Sequence, residues 1–406
     1  QVIWAHIQGA LWLSLGLMED FSSGEPFFRW LGESGLEYPG VRVESRPGRR
    51  RCVVAAQACA EGERLLLIPA RMSLTNKVED GRSNHVILGL TQLLVKEDEA
   101  GSESALAAYI RILFESDSPQ LPLETCMCFP SGAGAFAQVR FDRNNQFVEK
   151  LLSVHPGLSR ERAARAVEVV NNRAIYCEKH KVCALIPILD TMNHDPSPNA
   201  TWTMNENRDV TVVARQHIAA GDEVTISYGD EPNAELFIAY GFSLTTEGPH
   251  QCVDLRVCLH SPELQRYGTN ATALVRVLGN GGIRNRAAMA PLLKAAREFT
   301  QMNSPEGAAC EPSDADTLLA QAIDRCAREE RGAWFNILTK AEYGAVRDRV
   351  APLVESCMAA LIELQARIEA WLSGPKDGSL MAALGPPPAD ITSTSSDSDS
   401  ESEASP

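Results

Sequence analysis

Residues 186–202, IPILDTMNHDPSPNATW, end an apolar run on Asp190, Asn193 and His194 and then turn through two prolines. Asn, Asp and Pro favour turns for local reasons, and the same residue types serve metal binding and acid/base chemistry, so the flanking sequence has to decide. In residues 219–242, AAGDEVTISYGDEPNAELFIAYGF, a Gly-Asp-Glu turn feeds a strand that ends on Tyr228. A helix then starts at the Pro232-Asn233 step, and Tyr240 precedes Gly241-Phe242.

The rest of the chain changes period in the same way. Pro26 to Gly35 reads as a short helix with Phe27, Phe28, Trp30 and Leu31 on one side, and RPGRRR leads into the strand-like runs RCVVAAQ and RLLLIP. Helical spacing follows in HVILGLTQLLVKEDEA, ESALAAYIRILFES, RNNQFVEKLL and SRERAARAVEVVNNRAIY, the last with Ser159 as its cap. From Leu185 the period is again strand-like, through ATWTM, DVTVVARQ and DEVTISYG. After Gly248 the chain reads as mostly helical. From Ser373 it carries too little apolar content to offset the entropy of ordering. Four segments are expected: an irregular extension over 1–24, with a signal or anchor segment as the alternative, a main domain over 25–250, a helical domain over 251–372, and a disordered acidic, Ser-rich tail over 373–406.

Charge and cysteine usage narrow the function classes. The net charge of −15 excludes a general phosphate-binding face and with it direct nucleic-acid binding. Residues 373–406 hold six acids and one Lys, which leaves −10 for the body, a charge that would attract a basic protein partner. No internal apolar run approaches the length of a spanning helix, so no membrane association is expected. The eleven Cys lack regular spacing, which suits thiols in a reducing, intracellular compartment, cytoplasm or nucleus with a plastid left open. CEKHKVC (Cys177, His180, Cys183) has metal-ligating residue types but no second ligand pair, and no metal is expected.

The order of LDTMNH, the upstream NNRAIY and the downstream SYGDEPNAELFIAYGF resembles the SET-domain methyltransferases. The subclass is that of the plant Rubisco large-subunit lysine methyltransferase and its animal relatives, which include the actin-histidine methyltransferase. The resemblance runs from about Pro26 to Trp371. It implies an α+β chain: a SET fold of small β-sheets with a helical insertion over about 84–172, followed by an all-α substrate-binding domain. It implies S-adenosylmethionine as cofactor and transfer of its methyl group to a lysine amine of a protein substrate by a monomeric enzyme. A catalytically weak SET-fold binding protein and a protein-histidine methyltransferase are the alternatives.

The same resemblance assigns residues. Asn193, His194 and Arg173 match cofactor-binding positions, with Arg173 placed to meet the cofactor carboxylate. Asp190 orders the loop and borders the substrate channel. Tyr228 matches the catalytic tyrosine whose hydroxyl points at the transferring methyl and the amine, and Tyr240 a second tyrosine that lines the substrate channel. The family's glycine-bearing cofactor turn corresponds to Arg50, Arg51 and Cys52, so Arg51, Cys52 and Val53 become cofactor contacts without the glycines that let a backbone approach a ligand. Leu189 and Ile175 stand where the actin-histidine enzyme carries an aromatic and an asparagine, which weakens the case for a histidine acceptor.

Overall fold

The computed structural model describes residues 26–385, apart from 37–39, 47–48, 78–82, 117–119, 245–250, 260–270, 304–311, 341–343, 345–346 and 376–377. The extension over 1–24 and the tail from 386 onward lie outside the described residues.

The chain starts with α1 (Pro26–Glu33), which buries Phe27 and Leu31 as its apolar face requires. A ribbon of β1 (Val41–Arg46) and β2 (Arg49–Ala55) leads to β3 (Arg64–Ile68) and β4 (Leu74–Lys77). The helices α2 (Ser83–Ala100), α3 (Ala107–Glu115), α4 (Leu123–Cys126), α5 (Ser131–Val154) and α6 (Arg160–Arg173) come next. Ser159 caps α6, its hydroxyl accepting the Arg162 N–H at 3.1 Å. Short strands return as β5 (Ile175–Cys177), β6 (Val182–Leu185), β7 (Asn193–His194), β8 (Ala200–Met204), β9 (Val210–Ala214) and β10 (Thr225–Ile226). In β9 the side chains of Val210, Val212 and Ala214 are buried and those between them are half-buried, the alternation of a strand packed on one face. Then follow α7 (Asn233–Tyr240), β11 (Cys252–Leu259), β12 (Ala271–Leu278), α8 (Ala290–Asn303), α9 (Pro312–Thr339), α10 (Arg347–Ser373) and α11 (Leu380–Ala383).

These elements divide into two compact units. The first takes the described residues of 26–124, 137–231 and 238–241. It holds the β1-β2 ribbon, two three-stranded antiparallel sheets ordered β3-β9-β8 and β4-β6-β5, and one short parallel pair, β7 with β10. The second takes 125–136, 232–237 and the described residues from 242 onward. There β11 and β12 pair antiparallel over eight residues each. Fully buried Trp334 of α9 lies 5.8 Å from Phe129, and Phe129 lies 6.1 Å from Phe237 of α7.

The structure departs from the sequence reading in four places. The strand expected to end on Tyr228 stops at Ile226, because the Tyr228 N–H goes to a side chain instead of a ladder partner. The region after 250 is helical from Ala290, yet it opens with the β11-β12 hairpin and so is not all-α. Val253, Leu255, Val257 and Leu259 are all buried, a period-2 signal overshadowed by the helical run that follows. Helix α5 starts at Ser131, well before RNNQFVEKLL, and runs through Gly132 and Gly134. Both glycines permit close packing: a Cβ on Gly132 would sit 2.4 Å from the Asp254 Cβ, and one on Gly134 would sit 2.3 Å from the Phe129 carbonyl oxygen. The packed chain also extends past Ser373. Ser379 caps α11, Leu380 and Leu384 are fully buried, and the Leu380 N–H donates to Asp316 at 2.9 Å.

Candidate active site

The site grows from two chain reversals in the first unit. Helix α6 ends on Arg173, a basic residue in the last turn, where a cation is favoured by the helix dipole. After β6 the chain passes through buried Ile188 at φ 67°, ψ −46°, close to a rare γ-turn conformation that strains a β-branched residue. Strain of this kind persists only where the surroundings over-determine it. Here a single helical turn follows at once, with the Asp190 N–H on the Ile186 carbonyl at 3.0 Å and the Met192 N–H on that of Leu189 at 3.2 Å. Asn193 and His194 then pair in parallel with Thr225 and Ile226.

The turn presents Asp190, whose side chain is 2% exposed. Tyr109 of α3 donates its phenol to Asp190 Oδ2 at 2.8 Å, and Thr191 donates to Oδ1 at 3.2 Å. Arg173 donates from Nη1 to the Asp190 carbonyl at 3.1 Å and stands 4.0 Å from the carboxylate. Burial pushes the Asp190 carboxyl above its ordinary value, opposed first by Arg173, then by the two hydroxyl donors, and last by Arg51. The Tyr109 phenol is pushed well up by burial and by the neighbouring carboxylate. Trp30 stacks on Tyr109 at 6.2 Å and Phe27 at 6.3 Å, so α1 walls this side.

The parallel pair positions the tyrosines. The Tyr228 N–H donates to His194 Nδ1 at 3.0 Å, which places the His194 proton on Nε2 and makes the imidazole an acceptor for this backbone. The two rings are 5.4 Å apart. Tyr228 Oη donates to the Met192 carbonyl at 2.6 Å, and its ring lies 5.0 Å from that of Tyr240. Burial, and then Tyr240, push the Tyr228 phenol above its usual range; burial does the same to Tyr240. Both phenols are neutral at physiological pH, and Tyr228 is a hydrogen-bonding group there, not a base.

Strand β2 forms the remaining wall. The Asn193 amide donates to Glu223 Oε1 at 2.6 Å and to the Arg51 carbonyl at 3.4 Å. The Val53 carbonyl accepts the Val224 N–H at 2.7 Å, and the Ala55 N–H reaches the Asp222 carbonyl at 2.8 Å. Cys52 is fully buried, with its thiol 3.6 Å from the Glu44 carbonyl of β1. Arg51 turns the other way. Its Nη2 donates to Ser116 Oγ at 2.7 Å, and with Arg173, Asp190 and Thr191 it lines a cleft whose apolar side is Phe27, Phe28, Val43, Ile112 and Leu113. The cleft is narrow, with an enclosed volume of about 10 Å³, room for about one water.

Asp190, Arg173, Asn193, His194, Tyr228, Tyr240 and Arg51 are thus one neighbourhood, joined by the contacts above, and Val53 anchors β2 to it by backbone alone. Three participants were missed. Tyr109 carried only a helical, core-like signal, Ser116 none, and Glu223 stood inside the Gly-Asp-Glu turn without any hint of its bond to Asn193. His180 of CEKHKVC donates from Nε2 to the Met204 carbonyl at 2.9 Å, while Cys177 lies opposite Val182 in the β5-β6 hairpin. Among the described residues no group of three or more His, Cys, Asp or Glu could hold a metal ion.

Small sheets, a parallel two-residue crossing and a tyrosine set behind it define a SET fold. The structure aligns with the SET domain of LSMT bound to lysine and AdoHcy at a TM-score of 0.60 and 17% identity, covering 85% of this chain and 90% of that one. Residues 50–229 match the family model of the SET domain. SET domain-containing protein 4 of Mus musculus is 26% identical over 263 residues, 55% of this chain and 59% of that protein. The ribosomal lysine N-methyltransferase set10 of Schizosaccharomyces pombe is 24% identical over 199 residues, 46% of this chain and 36% of that protein. The chain therefore spans 59% of the mouse relative's length and less of the yeast one's. Among the described residues no helix is long and apolar enough to cross a membrane.

Proposed function

We propose that the chain is an S-adenosylmethionine-dependent methyltransferase acting on a lysine side-chain amine of a protein. The observation that carries this reading is the posture of Tyr228. Its O–H is committed to the Met192 carbonyl and its N–H to His194, so the phenol oxygen is fixed in place and can present a lone pair to an amine only along a defined direction. An amine that donates to this oxygen has its own lone pair turned away from the phenol, in one direction. Holding donor and acceptor in such alignment supplies roughly 7–11 kcal/mol of a barrier. The aromatic walls of Tyr228 and Tyr240 disfavour the ammonium form of a lysine by desolvation, which lowers its pKa toward neutrality.

The donor set suits the cofactor. Arg173 and Arg51 face one cleft and fit a carboxylate, and the β2 backbone runs beside Asn193 without a Cys52 side chain that points to solvent. When bound, the cofactor supplies a sulfonium methyl group. Asp190 and Tyr109 hold the loop that carries Met192 and Asn193 in register with it. The acidic body and the −15 net charge support a basic segment around the acceptor lysine, and the described cysteines, all free thiols, support a reducing compartment. A second reading, a SET-fold binding protein with weak turnover, draws on one observation: Arg50, Arg51 and Cys52 in place of the glycine turn.

Transfer of a labelled methyl group from S-adenosylmethionine to lysine-bearing proteins, located by mass spectrometry, decides between them. Label on a lysine ε-amine is expected. Label on histidine moves the acceptor assignment, and cofactor binding without transfer to any protein favours the second reading.

A further inference from the structure

Tyr109 lies on the buried face of α3 with Ile110, Leu113 and Phe114, where a hydroxyl needs a partner. Its ring is not free to shift in search of one. Phe27 and Trp30 stack against it, and Trp30 is itself tied by Nε1 to the Ala105 carbonyl at 2.8 Å. The phenol is therefore held where it meets Asp190 Oδ2 at 2.8 Å, while Thr191 serves Oδ1. Both oxygens of a carboxylate whose side chain is 2% exposed thus take their hydrogen bonds from hydroxyls. The guanidinium beside them stays at a distance: Arg173 gives its Nη1 bond to the Asp190 backbone carbonyl at 3.1 Å and stands 4.0 Å from Oδ2.

An arginine and a carboxylate in direct contact close to about 2.7–2.9 Å, often through two parallel bonds. Here the donor site on Oδ2 is filled by a group without charge, which satisfies Asp190 and consumes no N–H of Arg173. Arg173 keeps 24% of its side chain exposed and lines the cleft with Thr191. We infer that Tyr109 is a positioning residue: by occupying Oδ2 it keeps Arg173 from closing onto Asp190 and leaves that guanidinium to the carboxylate of the cofactor. The inference rests on the S-adenosylmethionine reading above, in which Arg173 meets that carboxylate. Without the hydroxyl, Oδ2 would be a buried acceptor in want of a donor, and Arg173 is close enough to become one.

Calorimetric titration of the full chain with S-adenosylmethionine and with its decarboxylated analogue tests this role. The wild-type chain is expected to prefer the carboxylate-bearing ligand. Tyr109→Phe keeps the stacked ring and should weaken S-adenosylmethionine binding by about 10-fold, the lower end of a charge-assisted hydrogen bond, with the decarboxylated analogue bound within about twofold of wild type. Asp190→Asn removes the charge that draws Arg173, so adding Tyr109→Phe to it should bring no further loss selective for S-adenosylmethionine. A tyrosine that only packs would weaken both ligands together, in either background. Equal weakening of both ligands, or no change, in Tyr109→Phe overturns the inference and leaves the cofactor reading intact. If Tyr109→Phe does not fold, the comparison within Asp190→Asn decides, and a further loss of about 10-fold confined to S-adenosylmethionine there overturns the inference. A wild-type chain that binds both ligands alike takes Arg173 off the cofactor carboxylate and the inference with it; one that binds neither overturns the cofactor reading as well.

Discussion

Two stretches meet at the candidate site and are held on opposite terms. Residues 190–194 and 223–228 add side-chain bonds to their two-residue parallel strand pair: Asn193 to Glu223, the Tyr228 N–H to His194, the Tyr228 phenol to the Met192 carbonyl, with Tyr109 holding Asp190 from outside. Residues 53–55 of β2 are joined to 222–224 by backbone groups, Val53 to Val224 and Ala55 to Asp222. A member of the first set cannot be exchanged without leaving a buried polar group unmatched, which costs about 1–3 kcal/mol. A backbone-held strand keeps its bonds whatever side chains it carries. The difference explains why the sequence around Tyr228 follows the SET pattern closely while β2 carries Arg50, Arg51 and Cys52 in its place.

The largest effect is expected from Tyr228→Phe. Removing one preorganised polar group from a water-excluded site typically costs about 10²–10³ in rate. Cofactor affinity should hold, because the ring and its contacts with His194 and Tyr240 remain. A single-turnover assay at saturating cofactor isolates the chemical step. Normal turnover in the variant would break the side-chain half of the comparison at its centre and transfer the role to Tyr240.

A smaller loss is expected at His194, which acts through Tyr228 and is therefore a positioning residue. His194→Ala removes the acceptor of the Tyr228 N–H, and about 1–2 kcal/mol of misplaced phenol corresponds to roughly a 5- to 30-fold drop in kcat. His194→Asn puts a carbonyl oxygen near the position of Nδ1 and should recover most of it. Equal loss in both variants, accompanied by equal falls in Tm, would mean that the imidazole only fills space.

The contrast between the two stretches also governs what could be read in advance. The loop and its tyrosines were legible because local order and residue type carry them: the apolar run, the Asn-His pair, the strand before Tyr228, the helix from Asn233. Tyr109 was not, since a tyrosine at helical spacing reports burial alone, and its partner Asp190 is 81 positions away. Glu223 was visible as a turn residue, but its bond to Asn193 depends on a parallel strand pair two residues long, too short to leave a pattern. In the second unit, Gly132 and Gly134 lie in a helix despite their low helix propensity, because close tertiary contacts leave no room for a Cβ at either position. The same unit takes 125–136 and 232–237 with it. Phe129 packs between Phe237 and Trp334, so a chain cut after residue 255 would expose an aromatic core, and clean removal of the helical region is not available as a test of substrate binding.

The smallest ligand effect belongs to Cys52→Gly, and it sharpens the comparison from the backbone side. Cys52 is fully buried and its thiol sits by the Glu44 carbonyl of the neighbouring strand, directed into the ribbon. Restoring a glycine there removes a buried group worth about 0.8 kcal/mol per methylene-sized unit and adds roughly 0.5–1 kcal/mol of backbone entropy cost in a strand. Stability should therefore fall by about 1–2 kcal/mol, read as a lower Tm without cofactor. Affinity for S-adenosylmethionine should change by less than about threefold, because a strand held through Val53 and Ala55 keeps its path and the substituted side chain does not face the cleft lined by Arg51. A tenfold gain in affinity would show that the thiol intrudes on the ligand. The backbone and side-chain stretches would then be under the same constraint, and the departure at β2 would be a defect of binding in place of a tolerated exchange.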